Sequence, residues 1–195
     1  MISFTKRATV PLLMVILIHV ISFAKQNEFT LFTGGIYQVP YNQSDEWDAF
    51  PCVTLGMTFP TGHDATKISF SACYGEMKST VLNVNNPSMQ LEIGLNYRLP
   101  FTYKVLSVDI YAALCDWAVK LVEYDGTKLQ KISLIASWEN EFGVVAGIVP
   151  SIALPKNFSL ILSCRAGVVL SSPDNFISAS GGLSIGYTLR SGKNE

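Results

Sequence analysis

Residues 89–99 read Met89-Gln90-Leu91-Glu92-Ile93-Gly94-Leu95-Asn96-Tyr97-Arg98-Leu99. Met89, Leu91, Ile93, Leu95, Tyr97 and Leu99 alternate with Gln90, Glu92, Gly94, Asn96 and Arg98 without a break. Successive side chains of a β-strand point to opposite faces, so this segment is a strand between an apolar environment and a polar one.

The same period of two recurs on both sides of it. Val53, Leu55, Met57 and Phe59 alternate with Cys52, Thr54, Gly56 and Thr58. Ile68, Phe70, Ala72 and Tyr74 alternate with Lys67, Ser69, Ser71, Cys73 and Gly75. Leu106, Val108, Ile110, Ala112 and Leu114 alternate with Ser107, Asp109, Tyr111, Ala113 and Cys115. Phe158 to Val168 and Ile177 to Leu189 repeat the pattern, Ile161 and Val169 breaking it; residues 29–39, with Gly34 and Gly35, are the least regular. Pro60-Thr61-Gly62, Pro100-Phe101 and Pro155-Lys156-Asn157 form short connections. Residues 40–50, 77–88 and 171–175 form polar or Pro/Asn-rich ones, the first two longer. Asp125-Gly126 is a hairpin signal. A three-residue Asp125-Gly126-Thr127 loop or a bulge keeps Ile110 outward, whereas a strict two-residue turn reverses its parity. The pattern predicts eight strands, at 29–39, 51–59, 67–76, 89–99, 104–124, 128–149, 158–170 and 176–189, with no helix, repeat or low-complexity segment among them.

The chain has 195 residues, 49% of them apolar and only 15% charged. That excludes a disordered chain. A net charge of −1 with no basic run argues against nucleic acid as a partner. Lys6 and Arg7 precede an apolar run from Val10 to Phe23, with small Ser22 and Ala24 next to a cleavage point. This is the layout of a secretory signal peptide. At about 1.5 Å rise per residue the run covers only about 21 Å, too short to span a membrane as an anchor. The reading is a signal peptide at 1–24 and one barrel domain at 25–195.

The polar faces are mostly Ser, Thr, Gly, Asn and Gln, whereas a soluble surface carries about 25–35% charged residues. Small polar residues suit a narrow lumen, which places the apolar faces against lipid. Phe29, Phe59, Tyr97, Phe101, Tyr103, Phe158 and Tyr187 fall near the short turns or termini. Tyr37, Phe50, Tyr74, Trp117, Trp138 and Phe176 fall near the long connections. Two such bands are expected of aromatic girdles at two membrane interfaces.

Together with Ser180-Gly181-Gly182-Leu183-Ser184-Ile185-Gly186-Tyr187, these patterns resemble the small eight-stranded bacterial outer-membrane barrels, the OmpA/OmpX-like and OmpW-like families. The segment is similar to their C-terminal signal strand, polar-x-Gly-x-x-apolar-x-aromatic. It departs from it in being followed by Thr188 to Glu195. The resemblance implies an eight-stranded antiparallel up-and-down transmembrane barrel. It also implies export to a bacterial outer membrane, with lipid as the first partner.

In that barrel Lys67, Glu92, Arg98, Asp109, Tyr111 and Arg165 point into the lumen. Pairing 99 with 104 across the Pro100 turn sets Glu92 opposite Tyr111 and Asp109 opposite Gly94. Arg165 is expected to meet Glu92 or Asp109, because charges inside so narrow a barrel must pair. The network is read as a plug that closes the lumen, with a narrow channel or a ligand pocket as the alternative. A soluble lipocalin-like barrel, with its apolar faces inward, is the alternative from another class.

No enzyme is expected, since His63, in a turn beside Asp64, is the sole histidine after the signal segment. No metal set and no cofactor motif is recognisable. Cys52, Cys73 and Cys115 face the lumen and Cys164 the lipid; Cys52 and Cys73 lie diagonally on neighbouring strands, about 7–8 Å apart, at the margin for a disulfide. Asn42-Gln43-Ser44 and Asn157-Phe158-Ser159 match glycan acceptors, which carry meaning only in a eukaryotic secreted protein. The loops offer the remaining candidates for contact with an extracellular partner. They are Trp47 in the acidic loop 40–50, and Trp117 and Tyr124 in the hairpin 114–138. The protein is expected to be a monomer.

Overall fold

The computed structural model describes residues 28–61, 63, 65–81, 84–100, 103, 105–120, 138–170 and 175–190. It contains eight strands: β1 (Glu28–Pro40), β2 (Phe50–Pro60), β3 (Thr66–Ser79), β4 (Val84–Arg98), β5 (Leu106–Lys120), β6 (Trp138–Ala153), β7 (Phe158–Val169) and β8 (Phe176–Arg190). Each is antiparallel to its neighbours in the sequence, and β8 returns to β1, so the sheet is a closed barrel. Closure leaves no open edge, which is the condition for strands to cross a bilayer. The segment 1–24 and Tyr124 lie outside the described residues.

The alternation read from the sequence gives the two faces directly. Val53, Leu55, Leu114 and Phe142 point outward with 62–69% of their surface exposed. Cys52, Thr54, Ser69, Glu92, Asn96, Asp109, Tyr111 and Ser184 point inward and are buried. A lipocalin-like barrel requires the reverse, so the soluble alternative is overturned. Strands of 11 to 16 residues meet or exceed the ~9–11 needed to cross the hydrocarbon layer.

Three sequence expectations are corrected. First, residues 77–88 are mostly strand. β3 and β4 stay paired as far as Ser79 and Val84, because the inward alternation continues through buried Met77, Ser79, Asn86 and Ser88. The polar Asn85-Asn86-Pro87-Ser88 run looks like a loop only when that parity is ignored. Second, the β4–β5 register is shifted. Glu92 faces Cys115, Gly94 faces Ala113, and Asp109 faces Arg98. Pro100 has no N–H with which to extend the ladder, and the turn closes further on, at the Tyr103–Leu106 bridge. Third, β5 and β6 pair from Lys120 and Trp138 downward, six residues away from an Asp125-Gly126-Thr127 register. Parity is preserved, with Ile110 outward and opposite Ile148. The observed register sets inward Tyr111 against Gly147 and Cys115 against Gly143, a large residue against a small one. The expected one would have set Tyr111 against Glu141.

The β7 turn is built on Lys156 and Asn157, with φ of 59° and 64°. The Ala153–Ser159 register and the Leu154 amide's bond to the Phe158 carbonyl, at 2.8 Å, leave Pro155, Lys156 and Asn157 as a three-residue loop, which the two left-handed residues close. On β6, the ladder to β7 runs from Gly143 to Ile148 and resumes at Ser151, skipping Val149 and Pro150. Proline cannot donate there.

The aromatic bands are confirmed at one end and corrected at the other. Near the short turns, Tyr97 and Tyr103 are exposed, Phe158 and Tyr187 pack at 4.9 Å, and Phe59 lies between Phe29 and Phe70. Of the aromatics expected near the long connections, Tyr37 and Tyr74 face outward, and Phe142 joins them there. Phe50, Trp117 and Phe176 point inward and are 2–4% exposed. Phe101 lies outside the described residues, as does the side chain of Trp138.

Candidate functional site in the barrel lumen

The lumen has two unlike halves. Toward the long connections it is filled by Phe50, Cys52, Cys73, Met77, Cys115, Trp117, Val169 and Phe176, with Ile36, Ala113 and Val145 beside them. The rings of Trp117 and Phe176 meet at 4.3 Å. Trp47 packs onto this cluster from the β1–β2 loop. That loop is stitched down on both sides. The amides of Asp48 and Thr80 donate to the carbonyls of Lys78 and Glu46, at 2.9 Å each. The amides of Tyr41 and Ile177 donate to the Ile177 carbonyl and to Asn42 Oδ1, at 2.8 and 2.7 Å. Trp47 and Trp117, read from the sequence as exposed loop aromatics, are therefore parts of an internal plug. Trp117 is on β5, not in a loop, and its odd-numbered position shares the inward parity of Cys115 and Ala113.

Beneath the apolar cluster, Arg165 reaches across from β7 to Glu92 on β4, Nη1 to Oε2 at 2.7 Å. Tyr111 Oη and Ser71 Oγ donate to the same oxygen at 2.6 and 3.0 Å. Gln90 Nε2 donates to Oε1 at 2.8 Å. A buried carboxylate needs this many donors to offset its lost hydration. Gly94 lets the tyrosine lie flat over its strand, since a Cβ there would come within 2.6 Å of the Tyr111 ring. The guanidinium of Arg165 sits 5.7 Å from the centre of that ring. Its Nε is buried without a hydrogen-bond partner.

Toward the short turns, Asp109 is shared by two cations. Lys67 Nζ is 3.6 Å from one oxygen and Arg98 Nε 3.2 Å from the other. All six lumen residues named from the sequence thus face inward, but they form two groups. Glu92, Arg165 and Tyr111 cross the barrel; Lys67, Arg98 and Asp109 line one wall. Of the two carboxylates considered for Arg165, the structure selects Glu92.

Below the crossing lies a cavity of about 640 Å³ that reaches the short-turn end. Its wall on β3 to β5 carries Lys67, Ser69, Ser71, Asn96, Arg98 and Asp109. Across from it stand Phe32 on β1 and Ile161 on β7. His63 and Lys156 stand among the residues of the short-turn end. Strand parity foretells the charged wall but not the apolar one. Ile161 had registered only as an exception to the alternation.

Among the described residues no three metal-ligating side chains converge. The cysteines are free thiols, with Cys52, Cys73 and Cys115 buried and Cys164 exposed.

The sequence matches no known family. It matches no curated protein either. Solved structures share its architecture. The N-terminal barrel domain of Pseudomonas aeruginosa OprF superposes with a TM-score of 0.57 at 13% identity, covering 84% of this chain and 98% of that one. Neisserial surface protein A gives 0.55 at 11% identity, covering 84% and 97%. The outer-membrane protein OprG of P. aeruginosa gives 0.55 at 8%, covering 86% and 98%. At such identities the likeness is one of fold: this chain has the eight-stranded barrel of small bacterial outer-membrane proteins.

Proposed function

We propose that the protein is a non-enzymatic barrel of a bacterial outer membrane, closed along its axis, with a structural or surface-interaction role. The observation that carries closure is the lumen filling. An apolar cluster, with Trp47 packed on it, adjoins the Glu92–Arg165 crossing. An eight-stranded barrel has room only for side chains or one small ligand, and side chains take that room here over the long-loop half. The apolar exterior and the exposed Tyr97, Tyr103, Phe158 and Tyr187 support a lipid partner, with the short turns facing the periplasm. Residues 1–24 act as the export signal, removed after translocation. An extracellular partner would meet loop 40–50 through exposed Tyr41 and its acidic residues rather than through Trp47. The protein works as a monomer.

Folding with and without detergent micelles, followed by gel mobility before and after boiling, tests the location. Folding only in micelles, with a heat-dependent shift, is expected; a monomer folded in plain buffer would overturn the membrane reading. Planar-bilayer recording tests closure. A silent membrane is expected, and discrete conductance steps from the unmodified protein would refute the plug.

A further inference from the structure

The cavity below the crossing is closed at one end and reaches the short-turn end, and its two walls differ in chemistry. On one wall Lys67 and Arg98 share the single carboxylate of Asp109, leaving a cation in excess. Both ends of this cluster are held. All three line the cavity, the Lys67 and Arg98 side chains 27% and 34% exposed and that of Asp109 10%, so the cations present more of their surface than their counter-ion does. At the closed end Arg165, its side chain 10% exposed, has a buried Nε without a hydrogen-bond partner. At the mouth the exposed Glu28–Arg190 pair is neutral, and Lys156 adds a further positive charge. Facing the cations across the cavity are Phe32 and Ile161.

We propose that this cup is a binding site for one small organic anion with a compact apolar body, entering from the short-turn end. Its anionic oxygens lie against Lys67 and Arg98 and its body against Phe32 and Ile161. Three features carry the assignment. A volume of about 640 Å³ falls within the ~300–1,000 Å³ of small-molecule sites. A largely neutral lining that sets two cations on one wall and an apolar patch on another is the pattern that orients an amphipathic anion. Fixed donors left short of acceptors gain from an incoming oxygen atom. The inference concerns a pocket beneath the plug, so it stands or falls separately from bilayer conductance.

The test uses the protein in phospholipid nanodiscs and follows the fluorine resonance of 4-fluorobenzoate, with empty nanodiscs as the blank. The neutral isostere 4-fluorobenzamide is the second probe. Saturable binding of the benzoate is expected, about tenfold tighter than the amide, the equivalent of roughly 1.4 kcal/mol. Lys67→Gln and Arg98→Gln should each weaken benzoate severalfold and leave the amide unchanged. Asp109→Asn should tighten benzoate, because it frees both cations. Ile161→Trp should weaken both probes severalfold, because the larger ring takes the place beside Phe32 assigned to their apolar body. Heat-dependent gel mobility confirms that each variant is folded. Equal affinity for benzoate and amide, no binding above the blank, or benzoate binding unmoved by Asp109→Asn and Ile161→Trp would overturn the proposal.

Discussion

The same eight strands build two opposite interiors. Above the Glu92–Arg165 crossing, Phe50, Met77, Trp117 and Phe176 fill the lumen like the core of a soluble domain. Below it, Lys67, Arg98, Asn96 and Asp109 border open volume. Parity alone does not separate these halves, because both are the inward face. Side-chain volume does. The upper inward positions include the large aromatic and sulfur-bearing side chains among small polar ones, whereas the lower ones are mostly Ser, Thr, Asn and charged residues. A filled end supplies rigidity, and the unfilled end is left for solvent or a ligand. The crossing is the partition: Arg165 lines the lower cavity, and Glu92 and Arg165 both border the small space beside Gln38 and Ser178.

Breaking the partition should have the largest effect. Glu92→Ala leaves the Arg165 guanidinium buried without its counter-ion. The loss should be about 4 kcal/mol, in the range measured when one partner of a buried pair is deleted. Reversible urea unfolding in lipid vesicles measures it. The pair replacement Glu92→Leu with Arg165→Met should recover most of that loss, because replacing both ions removes the desolvation penalty with them. A double variant as unstable as the single one would show that the crossing stabilises the barrel by more than charge pairing.

The apolar plug comes next. Trp117→Ala removes a ring that is 4% exposed and lies 4.3 Å from Phe176, and should cost about 3 kcal/mol. Ile161→Ala, in the lower half, should cost only about 1 kcal/mol, since its side chain already borders open volume and no new cavity wall is created. Equal losses at the two sites would erase the distinction between a filled half and an open half. Neither single variant should conduct in a planar bilayer, because the crossing still blocks the axis in both.

Much of this was legible in the sequence, and the rest failed for identifiable reasons. Alternation marked the eight strands and put Lys67, Glu92, Arg98, Asp109, Tyr111 and Arg165 on one face, since side-chain direction follows from a period of two; that this face is inward came from its low charge, and the closed order from the family resemblance. Alternation also held the answer for Phe50, Trp117 and Phe176. Each shares the parity of inward neighbours, Cys52, Cys115 and Ser178, and proximity to a loop is a weaker guide than parity. Register was less legible. Turn residues at Pro100 and Asp125-Gly126 located the hairpins but not their pairing, which was fixed by fitting Tyr111 and Cys115 against Gly147 and Gly143. Nor could strand patterns foretell that Arg165 would choose Glu92 over Asp109, because that depends on heights set by the registers of β4 to β7.

The mouth of the lower half should matter least to stability. Arg190 Nε lies 3.4 Å from Glu28 Oε2, joining the last strand to the first where the barrel closes. Its position invites a structural role, yet the two side chains are 67% and 45% exposed. Water and salt screen a pair so placed, and ordering two long side chains offsets most of the attraction. Closure itself rests on the backbone ladder from Glu28–Arg190 to Pro40–Ser178, which the substitution does not touch. Glu28→Gln should therefore shift the urea stability by no more than about 0.5 kcal/mol. Its effect should appear in binding instead. With the carboxylate gone, Arg190 joins Lys156 as an unneutralised cation at the mouth, and 4-fluorobenzoate should bind slightly tighter at low salt, with the gain vanishing at high salt. A large stability loss from Glu28→Gln would mean that the short-turn end is held by its charges, and that it resembles the crossing more than an open cup.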